Sequence, residues 1–363
     1  MSRSEAKKIS EQRRNHFSKV TIQTDNILIR GTNWIGDAVM TLPAIAAIRK
    51  TFPRAKITIL VKPWVADVFR LCPDVDDVML YQQPGIHDGF FGILRLAGDL
   101  KERKFDAAIL LQNAIEAAII SRLAGIPIRA GYNSDGRGFL LTHAVRRTKT
   151  LRKLHQVDYY LEMVKALGCQ PAGREAVLTL GVDDEHRADE LLVRHGLQDS
   201  RLLLGMAPGA SYGPAKKWFP ERFALVADRL IEAFPAQVML FGSSADGESI
   251  AQVQQHAKSP LCALAGATNL RETMALISRC RLFISNDSGL MHLAGAMGVP
   301  VVAIFGSTNP TATSPPGHNN IIIHKDVTCS PCLKTDCPTD FQCMDLIRVD
   351  DVYEAAVRML GDL

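Results

Sequence analysis

Short β-branched and apolar runs alternate along this chain with segments of helical periodicity, and this constrains the fold more than any other feature. The alternation is that of a parallel sheet with crossover helices, because parallel strands need a long connection between them. It occurs twice. The first series opens on the strand Asn26-Ile-Leu-Ile-Arg30 and the loop Gly31-Thr-Asn-Trp-Ile-Gly36, then a helix stopped by Pro53. Further strands follow at Lys56–Val61, Val78–Tyr81, Ala107–Leu111 and Arg129–Tyr132, with a helix from Leu154 to Leu167. Polar, Gly/Pro-containing sequence at 168–175 reads as a linker. The second series begins at Leu202–Met206 and continues through strands at Gln237–Phe241, Leu282–Ser285 and Val301–Phe305 to a last helix, Val352–Leu360.

The expected fold class is therefore α/β, with two Rossmann-like halves and a cleft between them. The boundaries read as a basic extension at 1–25, a first domain at 26–172, a second at 173–347 and a terminal helix at 348–363. In open parallel sheets ligands sit beyond the carboxyl ends of the strands. The chemistry-bearing residues should therefore lie in the strand-to-helix loops.

The chain has 363 residues, enough for two cores, and 42 Lys plus Arg against 38 Asp plus Glu, a formal +4. That excess is too slight for a nucleic-acid binder, and much of it is local. Residues 1–19 carry six basic and two acidic side chains without the apolar middle of a secretory signal. The extension reads as a solvated tail or as a basic tether to an anionic membrane surface. No apolar stretch is long enough to span a bilayer, so a cytoplasmic protein with reduced thiols is expected. Of the eight cysteines, Cys72, Cys169, Cys262 and Cys280 are scattered among apolar neighbours. Cys329, Cys332, Cys337 and Cys343 crowd into one loop, which could be a structural metal site or a metal-free structural loop.

No Walker loop or GxGxxG fingerprint stands after the first strand, which weakens ATPase and NAD readings. Asp37, in the Gly-Asp pair at 36–37, reads either as a helix N-cap or as a general base aimed into the cleft. In the second half, Asn286-Asp-Ser-Gly289 follows a strand and opens a helix whose buried stripe is read as Leu290, Leu293, Ala294 and Met297. Backbone N–H groups there suit an anion such as a diphosphate. Ser288 and His292, four apart, share another face, and His292 is either a packed imidazole or a ligand contact. Lys217, ending the Gly/Ser/Pro-rich loop at 207–215, is either a surface lysine or a cation for the same phosphates. With the hydroxyl-bearing loop Phe305-Gly-Ser-Thr308, these residues suggest a nucleotide-diphosphate donor site.

Four segments, RGTNWIGDAVMTLPAI (30–45), PGASYGPAKKWFPERF (208–223), SNDSGLMHLAGAMGVPVVAIFGSTNP (285–310) and CSPCLKTDCPTDFQCM (329–344), together resemble the lipopolysaccharide heptosyltransferases of glycosyltransferase family 9. The resemblance implies the GT-B fold, two facing Rossmann-like domains with the last helix packing back towards the first. It also implies inverting transfer of L-glycero-D-manno-heptose from ADP-heptose to the lipopolysaccharide inner core, with no cofactor and no catalytic metal. By resemblance Asp37 is the base, while Ser211, Lys217, Asp287, Ser288, Gly289 and His292 bind the donor. Lys217 would also stabilise the departing ADP. Either Asp246 or Glu248 would hold the adenosine hydroxyls. Lys62, Arg146, Arg147 and Arg152, with Lys153 beside them, are candidate contacts for an acidic acceptor at the inner membrane face, or else solvated surface. No nucleic-acid partner is implied. The cysteine cluster matches the same pattern, which favours a structural role for it. Another transferase of the family, or a non-catalytic nucleotide-binding module, would keep the donor loops.

Overall fold

The computed structural model describes residues 24–197 and 201–361; the basic extension expected at 1–25 falls almost wholly outside them. The chain divides into two compact units. One comprises the described residues through Asn33 together with Met40–Arg174; the other joins Trp34–Val39 to the chain from Glu175 onward.

In the first unit the order is β1 (Asn26–Arg30), α1 (Ile35–Thr51), β2 (Lys56–Val61), α2 (Ala66–Arg70), β3 (Asp77–Leu80) and α3 (Gly89–Glu102). It continues through β4 (Ala107–Leu110), α4 (Ile115–Leu123), β5 (Ile128–Tyr132), β6 (His143–Val145) and α5 (Gln156–Ala166). The strands form one parallel sheet in the order β3-β2-β1-β4-β5-β6. Ile27, Leu28 and Ile29 of β1 are all buried, as expected of a central parallel strand covered on both faces. One layer of the core joins Leu28, Leu60 and Leu110 to Leu96 and Leu100 of α3 and Ile120 of α4.

The second unit runs α6 (Val182–Arg194), β7 (Leu202–Ala207), α7 (Pro220–Ala233), β8 (Ala236–Leu240), α8 (Gly247–His256), β9 (Cys262–Ala263) and α9 (Leu270–Ser278). It ends with β10 (Leu282–Asn286), α10 (Gly289–Ala296), β11 (Val301–Phe305), α11 (Pro310–Thr313), β12 (Asn320–His324), α12 (Gln342–Asp345) and α13 (Val349–Gly361). Its sheet is parallel in the order β12-β11-β10-β7-β8-β9. Both sheets are doubly wound, with the strand order reversing beside the first strand of each. The reversal falls between β1 and β4 in one sheet and between β7 and β10 in the other.

Two assignments differ from the sequence reading. The last helix, expected to turn back towards the first domain, buries Val352, Ala355, Ala356 and Met359 in the core of the second unit with Trp218 and Phe223. The apolar stripe of α13 faces that core, so hydrophobic burial fixes it there. Residues 34–39, read as part of the first domain, group with the second unit. Their packing explains why: a Cβ on Gly36 would lie 2.7 Å from Cδ2 of His292, and one on Gly289 would lie 2.9 Å from Cβ of Ile35. Only glycines allow this approach.

Candidate active site

The second sheet reverses between β7 and β10, and the loops leaving those strands carry the donor candidates. Asn286, fully buried at the end of β10, latches the loop after β7 at both ends. Its Oδ1 accepts from Trp218 N at 3.0 Å, and its Nδ2 donates to Pro208 O at 2.7 Å. Trp218 is itself buried and donates Nε1–H to Ile347 O at 3.1 Å. The loop is thus held by satisfied buried polar groups, whose loss costs more than an ordinary surface bond.

This latch sets where the paired lysines go. Lys216 ends a 3₁₀ turn, Pro214–Lys216, and its Nζ forms an ion pair with Asp287 Oδ2 at 2.7 Å. Thr308 Oγ1 donates to the same oxygen at 2.6 Å. Lys217, one residue on, points instead to α8, where its Nζ donates to Ser249 Oγ at 3.1 Å. Sequence reasoning chose Lys217 for the phosphates; the ammonium beside Asp287 belongs to Lys216. Asn286 and Thr308 were likewise not singled out as site residues, although both stand in the quoted strand-end loops. Ser211 is exposed in the same loop.

Asp37 falls in the first turn of α1, not at its N-cap, because the helix begins at Ile35. Burial pushes its carboxyl up to about 6; Lys216 pulls it down and Asp287 pushes it up. The base candidate and the Lys216–Asp287 pair therefore share one electrostatic environment inside the second unit. Ser288 is the N-cap of α10, its Oγ accepting from Met291 N at 3.4 Å and lying 3.0 Å from Ser285 Oγ. His292, 3% exposed, lies against Gly36. In α10 the buried positions are Met291, His292, Leu293, Ala294 and Ala296. Leu290 and Met297, expected inside, are only half-buried.

The two acidic candidates for adenosine separate by their surroundings. Asp246 is buried and engaged in a capping box, accepting from Ser243 N at 2.9 Å and from Ser243 Oγ at 2.7 Å. Glu248 is exposed in the first turn of α8.

In the first unit, Lys62 is buried at the end of β2, its Nζ donating to Gln83 O at 3.2 Å and standing 3.7 Å from the Tyr81 ring centre. Burial, then the nearby Arg30 charge, lowers its pKa. Arg147 follows β6, and its guanidinium lies 5.5 Å from the Tyr159 ring centre. Arg146 and Arg152 are exposed. The acceptor candidates thus stand at the carboxyl edge of the sheet, two engaged with aromatic rings and two facing solvent.

The family model for glycosyltransferase family 9 (heptosyltransferase) matches residues 93–342. The chain belongs to that family. Lipopolysaccharide heptosyltransferase 2 of Salmonella typhimurium is 31% identical over 309 residues, spanning 82% of this chain and 87% of that protein. The structure of Escherichia coli ADP-heptose lps heptosyltransferase II matches with a TM-score of 0.80 at 26% identity, covering 93% of this chain and 99% of that one. The family 9 glycosyl transferase from Veillonella parvula matches at 0.85 and 25%, covering 94% and 98%. The fold is α/β of the GT-B type, and this family 9 chain is a glycosyltransferase.

The cysteine-rich loop of this family 9 chain packs on the donor loop. Ala215 N donates to Thr335 O at 2.9 Å, and Tyr212 OH donates to Leu333 O at 2.9 Å. Leu333 N in turn donates to Ser307 O at 2.9 Å. Cys329 is exposed, Cys332 and Cys337 are half-buried, and Cys343 is buried. Burial raises the Cys343 thiol, with the other three thiols adding to the shift. Among the described residues, no three His, Cys, Asp or Glu side chains are gathered so that they could hold a metal ion. Nor is any helix among them long and apolar enough to cross a membrane.

Proposed function

We propose that this chain is a heptosyltransferase of type II, moving L-glycero-D-manno-heptose from ADP-heptose to the first heptose of the lipopolysaccharide inner core, with inversion. The similarity to heptosyltransferase 2 and to heptosyltransferase II supports the donor and the acceptor class. The observation that carries the chemistry is the placement of Asp37, Lys216 and Asp287 in one environment, with the Asp37 carboxyl raised to about 6. A base titrating there is ionised at neutral pH and still basic enough to accept a proton.

In this reading the Asp37 carboxylate takes the proton from the acceptor hydroxyl. The hydroxyl oxygen forms a bond to the anomeric carbon while the bond from that carbon to the ADP oxygen breaks. The sugar passes through an oxocarbenium-like state, as in glycoside hydrolysis. The leaving electron pair ends on the diphosphate, where fixed positive charge lowers the barrier. Lys216 supplies that charge, oriented by Asp287 and Thr308. The amides at the N-terminus of α10, from Ser288 and Gly289, add the helix dipole, and His292 lies beside them. Ser211 and Lys217 complete the donor loop. Lys217 is held to Ser249, the residue after Glu248 in the chain, and Glu248 serves the ribose hydroxyls because Asp246 is committed to its cap.

Lys62, Arg146, Arg147 and Arg152 suit an acceptor bearing carboxylate or phosphate groups. The domain roles follow: acceptor recognition by the first unit, donor binding and the base with the second. The cysteine-rich loop has a structural part, bracing the donor loop through Thr335 and Leu333. The enzyme would work in the cytoplasm at the inner membrane face, where its lipid-anchored acceptor lies. Asp37→Asn tests the assignment: transfer should fall by about 10²–10⁴-fold while ADP binding, measured by calorimetry, remains. Loss of ADP binding would return Asp37 to a purely structural part.

A further inference from the structure

All strands of the first sheet run parallel, so the connections after β2 to β6 emerge at one edge, the edge that carries Lys62 and Arg147. That edge is also lined with large apolar side chains that the fold leaves uncovered. Ile86, Phe90 and Phe91, between β3 and the first turn of α3, are 53%, 69% and 82% exposed. Ile115, opening α4 directly after β4, is 39% exposed, and Phe139, in the short turn after β5, is 80% exposed. Helices α3 and α4 pack side by side, and the turn carrying Phe139 packs on α4, so these residues belong to one face. Scattered surface leucines need no explanation, but a set of aromatic and branched side chains along one edge does.

The charge at the same edge is one-sided. The segment that leaves β6 reads RRTKTLRK over 146–153, with five basic residues and no acidic one. Arg146, Lys149, Arg152 and Lys153 are exposed. Exposed apolar groups on the same strand-end edge as a run of cations are what an anionic bilayer surface recognises: the apolar side chains enter the boundary between headgroups and acyl chains while the cations meet lipid phosphates.

We propose that this edge of the first unit, formed by the connections after β3, β4 and β5 and flanked by residues 146–153, is a docking surface for a bilayer of anionic phospholipid. It rests on the proposed lipid-anchored acceptor only in that docking would present such an acceptor to the strand-end loops. Phe90, Phe91 and Phe139 supply most of the exposed apolar surface, and the basic run confers the preference for anionic lipid.

The test uses the full chain, without donor or acceptor, and sedimentation with vesicles of phosphatidylglycerol and phosphatidylethanolamine or of phosphatidylcholine alone. The wild-type chain should bind the anionic vesicles, bind the neutral ones much less, and be released by high salt. The double variant F90S/F91S changes two exposed side chains and should keep its thermal midpoint. Its partition onto anionic vesicles should fall on the order of tenfold or more. Transfer to a water-soluble, lipid-free core oligosaccharide should be unchanged. No sedimentation of the wild type would overturn the proposal, and so would undiminished binding by F90S/F91S, since charge alone would then account for attachment. A wild-type dimer in light scattering that F90S/F91S dissolves, with vesicle binding intact, would also overturn it, assigning the face to a second copy of the chain. Because the vesicles contain no acceptor, failed binding beside successful transfer to the soluble core sinks only the docking surface. Normal binding without transfer sinks only the proposed function.

Discussion

Asp37 is a carboxyl whose charge is set mainly by burial, with Lys216 and Asp287 acting in opposite directions. A base works ionised, so kcat/KM should rise as pH increases through about 6 and then level. A limb near the ordinary carboxylate value would show that burial does not act as described. Stability moves the other way. Ionising this carboxyl costs the folded chain more than the unfolded one, so the cost is absent below the ordinary carboxylate value of 3.8 and complete above about 6. Asp37→Asn should therefore raise the thermal midpoint in buffers well above pH 6 and barely change it near pH 4, while transfer falls by about 10²–10⁴-fold. The neighbouring lysines should separate in the same assay. Lys216→Ala, removing the cation paired with Asp287, should lower kcat by about 10²–10³-fold. Lys217→Ala, which frees Ser249, should chiefly raise KM for the donor.

At the scale of elements, the first turn of α1 and the start of α10 are fitted together by absent side chains. Gly36→Ala would place a methyl 2.7 Å from the His292 ring, and Gly36 cannot retreat without moving Asp37. A loss of about 1–3 kcal/mol on denaturant unfolding is expected. A fall in kcat should accompany it; an unchanged kcat would separate the packing from the chemistry. Which lysine pairs with Asp287 was not legible in the sequence. Lys216 and Lys217 are adjacent, and only the 3₁₀ turn and the Asn286 latch decide which one faces Asp287. The raised Asp37 carboxyl was equally hidden, because its causes come from segments far apart in the chain. Strand-end loops were legible, since hydrophobic runs broken by Gly, Asn, Asp and Ser mark them directly. Asp287 and Ser288 were proposed on that signal; Thr308 was visible only as part of a hydroxyl-bearing loop.

For the whole molecule, the two series of apolar runs foretold two parallel sheets, because central strands such as β1 and β10 are built on unbroken apolar runs, Ile27–Ile29 and Leu282–Ile284. Edge strands were harder. β6, β9 and β12 are short or half-buried and carry weaker patterns, so they escaped notice. The grouping of residues 34–39 with the second unit and the docking of α13 there depend on packing between distant segments, which local periodicity does not encode. If Lys216 and the α10 N-terminus supply the positive charge for the diphosphate, transfer should persist in EDTA. Complete loss on chelation, restored by magnesium, would contradict that division of labour. The most direct test of the account is incubation of the purified chain with ADP-heptose and core acceptors ending either before or after the first heptose, following ADP release and product mass. The account predicts ADP release and one added heptose with the singly heptosylated core alone. Transfer to the core lacking heptose, or no transfer to either, would contradict it.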